Sequence, residues 1–256
     1  MCFDKKGLTK EYDLIVGAVG VNSAATKYFM SLNSGYKPPE TTKTYICEFH
    51  LGHEIVHNHF GNSMHVFLLD LPRLEFGAIV PKGEYVTVVM LGEAIDKHLV
   101  NSFLESPEVK SCFPDDFDLS SGASCMCYPK ISITSAVQPF ADRMVLLGDC
   151  ATTKLYKNGI GAAYIAAKAA ATTVVFQGVS EADFRKGYWS VCKSIDKDNG
   201  IGKLIFLITH LIQKWKFTKR GILRMVIKEQ LNPKSEKAMS GVLWDTFTGS
   251  STYKNI

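Results

Sequence analysis

Two glycine-containing segments, far apart in the chain, hold residue types suited to a nucleotide-like ligand. The first is VGAVGVNS at residues 16–23, and the second is GDCATTKLYKNGIGAA at residues 148–163. The carboxylate of Asp149 can accept hydrogen bonds from sugar-like hydroxyl groups. Gly159 and Gly161 allow backbone N–H groups to approach a flat ligand closely. Because open α/β sheets bind nucleotides where their strands end, we predict that the two segments form one site.

The first segment is predicted to join a strand to a helix. Residues 12–18, YDLIVGA, form a short run rich in strand-forming residues and interrupted by glycine, which is typical of a buried strand and a tight turn. Asn22 or Ser23 can cap a helix through AATKYFMSL. Gly17 and Gly20 would then lie in the turn between these elements.

The second segment has the same arrangement of strand, turn and helix. RMVLL, at residues 143–147, predicts a strand that ends at Gly148 and Asp149. The run Gly159-Ile160-Gly161 opens a stretch in which seven of the ten residues 162–171 are alanine, and this composition strongly favours a helix. Such a helix would direct the positive end of its dipole at the ligand.

Residues 41–91 predict an antiparallel sheet, because the runs TYICEFHL, MHVFLLDL, FGAIV and YVTVVML are separated by short turn sequences. Residues 93–124 predict a helix and a loop, and the chain from Glu181 onward predicts amphipathic helices. The expected fold class is α/β (α+β), with a partial Rossmann-like domain interrupted by an antiparallel sheet and followed by a helical region. The predicted segments are 1–45 and 141–180 for the Rossmann-like domain, 46–140 for the sheet and 181–256 for the helices.

The two glycine-containing segments resemble motifs of the p-hydroxybenzoate hydroxylase-fold flavoproteins. GDCATTKLYKNGIG is similar to their GD motif, which is GDAAH, three residues, Pro, two residues and GxG; Tyr156 takes the place of the proline. VGAVGVNS is similar to their DG motif, VGADGxxS, with Val19 in place of the aspartate. FGAIVPKGE at residues 76–84 resembles the YxWxFPKG element of the geranylgeranyl reductase branch, with fewer aromatic residues. The resemblance covers about residues 12–178.

The resemblance implies an FAD-dependent oxidoreductase of the reductase or monooxygenase type. Hydride would pass from NAD(P)H or another donor to the flavin and then to a hydrophobic substrate such as an isoprenoid. Asp149 would bind the ribityl chain of FAD, and the helix after it would stabilise negative charge on the reduced ring. No catalytic acid or base is assigned. The implied cofactor-binding residues are Gly17, Gly20, Asn22, Ser23, Gly148, Asp149, Gly159, Ile160 and Gly161. The implied substrate-lining residues are Phe76, Ala78, Val80 and Pro81.

The family's dinucleotide fingerprint, GxGxxG, does not occur in this sequence. The runs Gly159-Ile160-Gly161 and Gly200-Ile201-Gly202 both lack the third glycine. A strand–helix–strand unit with that fingerprint is expected upstream of Tyr12. The alternative hypothesis is therefore a non-catalytic fragment, or one half of a split flavoprotein, that binds a complementary N-terminal segment.

A third hypothesis is a zinc hydrolase, because residues 53–57, HEIVH, match the HExxH signature. On a helix this pattern places two imidazoles on one face. Gly52 and Gly61 leave room for barely two turns, and the flanking runs predict strands, so histidines of a sheet or loop are favoured and no metal site is expected. Cys125-Met126-Cys127 lacks the second pair that a zinc ribbon needs.

The overall composition bounds the location and the partners. The seven cysteines include no CxxC pair and the net charge is +4, which favour a reducing, cytoplasmic compartment and no nucleic-acid partner. The apolar runs fall short of the ~18 residues of a spanning helix. Residues 204–217, LIFLITHLIQKWKF, predict either an interfacial membrane contact or a lid over a lipid-binding cavity, with a helix packed on the protein's own core as the alternative.

Overall fold

The structure is a computed structural model that describes residues 2–3, 9–32, 34–119, 123–156, 159–232 and 236–256. The chain forms two compact units. Unit 1 contains residues 1–41, 132–203 and 244–256, and unit 2 contains residues 42–131 and 204–243. Both combine helices with strands, which confirms the expected mixed α/β class. The four-segment division into domains stays a prediction.

The described strands are β1 (Cys2–Phe3), β2 (Thr9–Lys10), β3 (Ile15–Gly17), β4 (Thr41–Lys43), β5 (Tyr45–His50), β6 (His65–Phe67), β7 (Leu74–Lys82), β8 (Tyr85–Gly92), β9 (Ala123–Cys127), β10 (Lys130–Ser132), β11 (Phe140–Ala141) and β12 (Met144–Leu146). The described helices are α1 (Thr26–Met30), α2 (His53–Phe60), α3 (Lys97–Leu104), α4 (Pro107–Lys110), α5 (Gly159–Phe176), α6 (Glu181–Lys186), α7 (Tyr188–Lys214), α8 (Lys216–Leu231) and α9 (Ala238–Thr248).

Unit 1 contains a three-stranded sheet in the order β11-β12-β3, in which β12 and β3 are parallel. The strands predicted at residues 12–18 and 143–147 are therefore present, although both are shorter than predicted. Helix α5 begins at Gly159, as predicted. Its buried residues include three alanines at four-residue spacing, which place a slim helical face against the core: Ala162, Ala166 and Ala170.

Unit 2 contains a five-stranded sheet in the order β6-β7-β8-β5-β9, in which every pair of neighbours is antiparallel. This confirms the antiparallel sheet predicted for residues 41–91. Aromatic side chains from β5, α2, α3 and the loop after α4 form its core: Phe49, Phe60, Phe103 and Phe113. Asp96 accepts a hydrogen bond from the Leu99 amide (2.9 Å) and so caps α3.

The prediction that the HEIVH histidines lie in a sheet or loop is wrong, because residues 53–60 form α2. Gly52 and Gly61 adopt φ angles of 81° and 55°, which allow the chain to turn sharply at each end of this two-turn helix. Val56 and Phe60, four residues apart, are buried in the core. Packing of these two side chains holds α2 against the core of unit 2.

Helix α5 is long and apolar enough to cross a membrane, by length and composition alone, and it is the one such helix found among the described residues. The expectation that every apolar run is too short is therefore wrong for residues 159–176. Lys168 interrupts the run in the sequence, but a helical window of 18 residues tolerates one charge. A core helix passes the same test, so the finding assigns no location.

Candidate functional site

The structure brings the two glycine-containing segments together at one edge of the unit 1 sheet. Strands β3 and β12 are parallel, with Gly17 opposite Leu146, so both end at the same edge. The Leu147 amide donates a hydrogen bond to the Gly17 carbonyl (2.8 Å) just beyond that pair. The segments that follow Gly17 and Leu147 therefore start side by side, although 130 residues separate them in sequence.

A tight turn after β12 carries the predicted carboxylate. Gly148 has a φ of 70°, and its carbonyl accepts hydrogen bonds from the amides of Ala151 (2.7 Å) and Thr152 (2.9 Å). A Cβ placed on Gly159 would lie 3.4 Å from Oδ1 of Asp149. The Asp149 carboxylate therefore lies beside the first residue of α5, as the sequence predicted. Asp149 is half-buried.

This arrangement combines a hydrogen-bond acceptor with the positive end of a helix. The N-terminal end of α5 carries partial positive charge, because the peptide dipoles of the helix are aligned. Asp149 supplies carboxylate oxygens beside that end. The Ile160 side chain is 86% exposed, so it does not close this end of the helix from solvent. A ligand with hydroxyl groups and an electron-rich edge would satisfy both kinds of group.

The thiol of Cys150, in the second segment, contacts the backbone at the ends of both β3 and β12. Its Sγ contacts the carbonyl oxygens of Leu147 (3.1 Å) and Gly17 (3.5 Å), and the residue is fully buried. Burial raises the pKa of this thiol, although hydrogen bonds from the Val19 and Gly20 amides oppose the rise. Cys150 is therefore a protonated packing residue, which suits a position where the family has alanine.

The structure shows why the first segment has glycine at positions 17 and 20. A Cβ on Gly17 would lie 2.7 Å from the Phe29 ring, so this glycine allows Phe29 of α1 to pack on the strand. Gly20 has a φ of 63° and open space around it. Asn22 and Ser23 follow it and are exposed.

The predicted cap of α1 by Asn22 or Ser23 is wrong. The helix begins only at Thr26, and no side chain caps its N-terminus. Ser23 Oγ instead accepts a hydrogen bond from the Ala25 amide (3.1 Å). That local turn holds the backbone out of the helix for two further residues.

Solved structures of flavoproteins are similar to the chain in fold. A geranylgeranyl bacteriochlorophyll reductase-like protein from Thermoplasma acidophilum matches with a TM-score of 0.58 and 14% identity over 92% of this chain and 59% of that protein. A flavoprotein/dehydrogenase from Cytophaga hutchinsonii matches with a TM-score of 0.51 and 13% identity over 83% of this chain and 50% of that protein. No family model matches the sequence, and no curated protein matches it.

The chain shares the fold of these flavoproteins, in agreement with the resemblance of its motifs to the p-hydroxybenzoate hydroxylase-fold flavoproteins. At such identities the likeness concerns the fold, and the chain spans about half the length of these two flavoproteins. The motif resemblance and the fold therefore agree, since the segments similar to the DG and GD motifs meet at one sheet edge.

Two polar residues of unit 1 that the sequence did not single out hold residues 153–155, which lie between Asp149 and α5. The Asn199 side chain accepts a hydrogen bond from the Leu155 amide (2.8 Å) and donates one to the Thr153 carbonyl (2.8 Å). The Tyr253 hydroxyl donates to the Leu155 carbonyl (2.5 Å). A polar residue at a semi-buried position of α7 was the only sequence signal for this role.

A buried polar cluster adjoins the same loop. Ser135 Oγ lies 2.6 Å from Thr152 Oγ1 and donates to the carboxylate of Asp196. Burial raises the pKa of Asp196, while the hydrogen bond from Ser135 opposes the rise. The cluster joins Asp196 of α7 to Thr152, just after the GD-like turn. It therefore helps to hold that turn in place.

The predicted substrate-lining residues lie in unit 2, on β7. Phe76 and Ala78 are buried, and the Phe76 ring stacks on Phe206 of α7 with centroids 6.1 Å apart. Val80 is half-buried and, by strand alternation, shares their face of the sheet. Pro81 instead lines a shallow depression of about 230 Å³ together with residues of α2 and its flanking turns: His53, Val56, His57, Gly61, Asn62 and Gly83.

The HEIVH motif does not assemble a metal site from described residues. The His53 and His57 rings stack with centroids 6.3 Å apart on α2. No group of three or more His, Cys, Asp or Glu side chains that could hold a metal ion occurs within the described ranges. Cys125 and Cys127 are exposed free thiols on β9. The zinc hydrolase hypothesis therefore gains no support from the described donor groups.

Proposed function

We propose that this chain is the flavin-contacting part of an FAD-dependent oxidoreductase of the reductase or monooxygenase type. The observation that carries the proposal is the position of Asp149 beside Gly159, at the first turn of α5 and at the sheet edge where both motif segments meet. The flavoprotein fold supports it. A purely structural explanation, in which a turn joins a strand to a core helix, accounts for the glycines but not for the carboxylate.

The residues present fit a flavin. Asp149 would accept hydrogen bonds from ribityl hydroxyls, and the N-terminal end of α5, at residues 159–161, would face the ring edge. Because Gly159 has no side chain, a flat ligand could contact both the Asp149 carboxylate and the N-terminal end of α5. Bound flavin supplies the hydride chemistry. The positive end of α5 would stabilise negative charge on the reduced ring, a contribution of about 1 kcal/mol.

The proposed substrate is a hydrophobic small molecule, for which an isoprenoid is the example, and the proposed electron donor is NAD(P)H. The resemblance of residues 76–84 to a substrate-cavity element supports the first proposal, as do the apolar side chains on one face of β7. Phe76 and Ala78 would have to part from their packing partners to admit a ligand. Stimulation of NADPH oxidation by geranylgeranyl lipids, and not by aromatic acids, is the expected result.

The flavin proposal is tested by titrating the chain with riboflavin and following the quenching of flavin fluorescence. We expect Asp149→Asn to weaken binding at least tenfold, because a neutral amide is a poorer acceptor for ribityl hydroxyls. Asp70→Asn, at an exposed aspartate of unit 2, serves as the matched control and should leave binding unchanged. Equal riboflavin affinity for both variants, each with native circular dichroism, would overturn the proposal.

A specific observation also favours the second candidate, a half-protein that needs a complementary strand–helix unit. Among described residues β3 pairs only with β12, so its other edge is open, and the Val16 side chain of this strand is 50% exposed. Parallel strands are normally covered on both faces. Helix α5 exposes large apolar side chains, which such a unit would cover: Ile160, Tyr164, Val175 and Phe176.

Co-expression tests this candidate. A tagged strand–helix–strand unit carrying GxGxxG is expected to co-purify with the chain and to raise its flavin content. Tyr164→Lys on α5 should abolish both effects, whereas Tyr28→Lys, at another exposed tyrosine, should leave them intact. Failure to co-purify, with riboflavin binding by the chain preserved, would reject the half-protein and retain the flavin site.

A further inference from the structure

The second half of α7 has two opposite faces, and only one of them packs on unit 2. Phe206 stacks on Phe76, and the Gln213 side chain donates a hydrogen bond to the Glu75 carbonyl (2.5 Å). Phe206, Thr209 and Gln213 recur at three- and four-residue spacing, so they form one buried stripe. These residues alone therefore account for the packing of α7 on the core of unit 2.

The opposite stripe of the same helix is apolar and faces solvent. Leu204, Leu207, Ile208 and Leu211 recur at three- and four-residue spacing, and Trp215 extends the row past the end of α7. Leu207 is 58% exposed and Trp215 is 66% exposed. The core packing of α7 therefore leaves a complete apolar row without a described partner.

Helix α8, all of whose residues the structure describes, contains no buried residue. Short helices in water are stabilised mainly by packing an apolar face, and α8 exposes such residues instead: Phe217, Leu223, Met225, Ile227 and Leu231. We name the exposed apolar residues of 204–231 the outer face. A large exposed apolar surface of this kind marks an interaction site.

The charge of this region indicates the kind of surface that it fits. Residues 204–228 contain no Asp or Glu, but they contain six cations: Lys214, Lys216, Lys219, Arg220, Arg224 and Lys228. None of the six pairs with a carboxylate among the residues that the structure describes. The first carboxylate after them, Glu229, is engaged by the Met239 and Ser240 amides at the start of α9.

We propose that the outer face of residues 204–231 binds the surface of an anionic lipid bilayer. Four of the cations, at positions 216, 220, 224 and 228, follow one another at four-residue spacing, beside the row formed by Leu223, Ile227 and Leu231. Lys and Arg side chains can extend their charges to lipid headgroups while apolar neighbours enter the acyl boundary. Trp215, between the two helices, is the residue type that favours that boundary.

Nucleic acid is the competing partner for a row of cations, but it does not account for the apolar residues. Counterion release at phosphates needs Lys and Arg alone. The leucine row of α7 lies opposite the packed stripe and would stay in water on a nucleic acid. A bilayer satisfies both the charges and the apolar row, and it does so independently of any flavin.

Vesicle co-sedimentation tests the proposal with the full chain. We expect binding to phosphatidylcholine vesicles that contain 30 mol% phosphatidylserine, at least tenfold weaker binding to pure phosphatidylcholine, and further weakening as salt is raised. The double variant Leu207→Gln/Leu211→Gln should lose at least tenfold in binding to the anionic vesicles. Because both side chains are exposed, the fold should survive. Tyr28→Gln, at an exposed apolar residue of unit 1, is the control and should bind as the wild type does.

Tryptophan fluorescence supplies the second measurement. Anionic vesicles should shift the emission of the wild type to the blue, and Trp215→Phe should remove most of that shift while Trp244→Phe keeps it. Absence of vesicle binding by the wild type would overturn the proposal. So would binding that the double leucine variant retains in full, or tighter binding to duplex DNA than to anionic vesicles.

Discussion

Cys192 of α7 is a fully buried free thiol packed among the rings of Phe140 and Tyr188. Burial raises the pKa of this thiol from 9.0 to about 12. The folded chain therefore keeps a proton that the unfolded chain releases once the pH exceeds 9. Since a raised folded-state pKa stabilises the fold only while the unfolded thiol is also protonated, this contribution is complete below pH 9 and is lost as the pH rises toward 12.

We predict that the free energy of unfolding falls between pH 9 and pH 10, and that Cys192→Ala reduces the slope by about 1 kcal/mol per pH unit. Urea titrations at closely spaced pH values measure both slopes. Cys127→Ala removes a thiol that is exposed in the folded chain, and its slope should equal that of the wild type. A Cys192→Ala slope identical to that of the wild type would show that this thiol does not contribute.

Asp149 could be predicted from the sequence, because a carboxylate at the end of a strand followed by a glycine pair is a local pattern. Asn199 and Tyr253 could not, although their side chains hold the loop that leads to α5. Their partners are backbone groups 44 and 98 residues away, and no spacing rule joins residues so far apart. The positions of residues were therefore predictable where the sequence pattern is local.

At the scale of elements, the long apolar runs predicted their structures and the short mixed run did not. Strands β5, β7 and β8 lie where the spacing of the apolar runs placed them, and helix α5 lies where its alanine content placed it. Residues 53–60 were assigned to a sheet or loop, because Gly52 and Gly61 leave room for barely two turns and the flanking runs predict strands. The positive φ angles of Gly52 and Gly61 allow a two-turn helix to fit between the strands, and the sequence alone does not show these angles.

Helix α7 offers two glycines with opposite surroundings, two residues apart. A Cβ on Gly202 would lie 2.5 Å from the Tyr253 ring, whereas a Cβ on Gly200 would meet nothing within 4 Å. We predict that Gly202→Ala destabilises the chain, because overpacking costs about 1–3 kcal/mol. Gly200→Ala should stabilise it by about 0.5–1 kcal/mol, since alanine is the better helix former. Urea midpoints measure both changes, and shifts in the same direction for both variants would contradict the packing described for Tyr253.

At the scale of the whole molecule, the fold is similar to that of solved flavoproteins, yet the chain spans 59% of the length of the Thermoplasma acidophilum protein and contains no GxGxxG. The groups assembled around Asp149 suit the ring and ribityl chain of a flavin. Recognition of the diphosphate would need a glycine-rich turn at the start of a helix. Sequence patterns predicted the fold through two motifs, but they could not show how the two units are composed from interleaved segments.

The consequence is a prediction about which part of FAD the chain recognises. Riboflavin and FAD share the ring and the ribityl chain, so we expect their dissociation constants for this chain to differ by less than about tenfold, which is about 1.4 kcal/mol. Excess ADP should not displace riboflavin, because the two would not compete for the same groups. Fluorescence titration with each ligand measures the ratio. FAD binding more than about a hundredfold tighter than riboflavin, together with displacement by ADP, would show that these 256 residues hold a diphosphate site of their own.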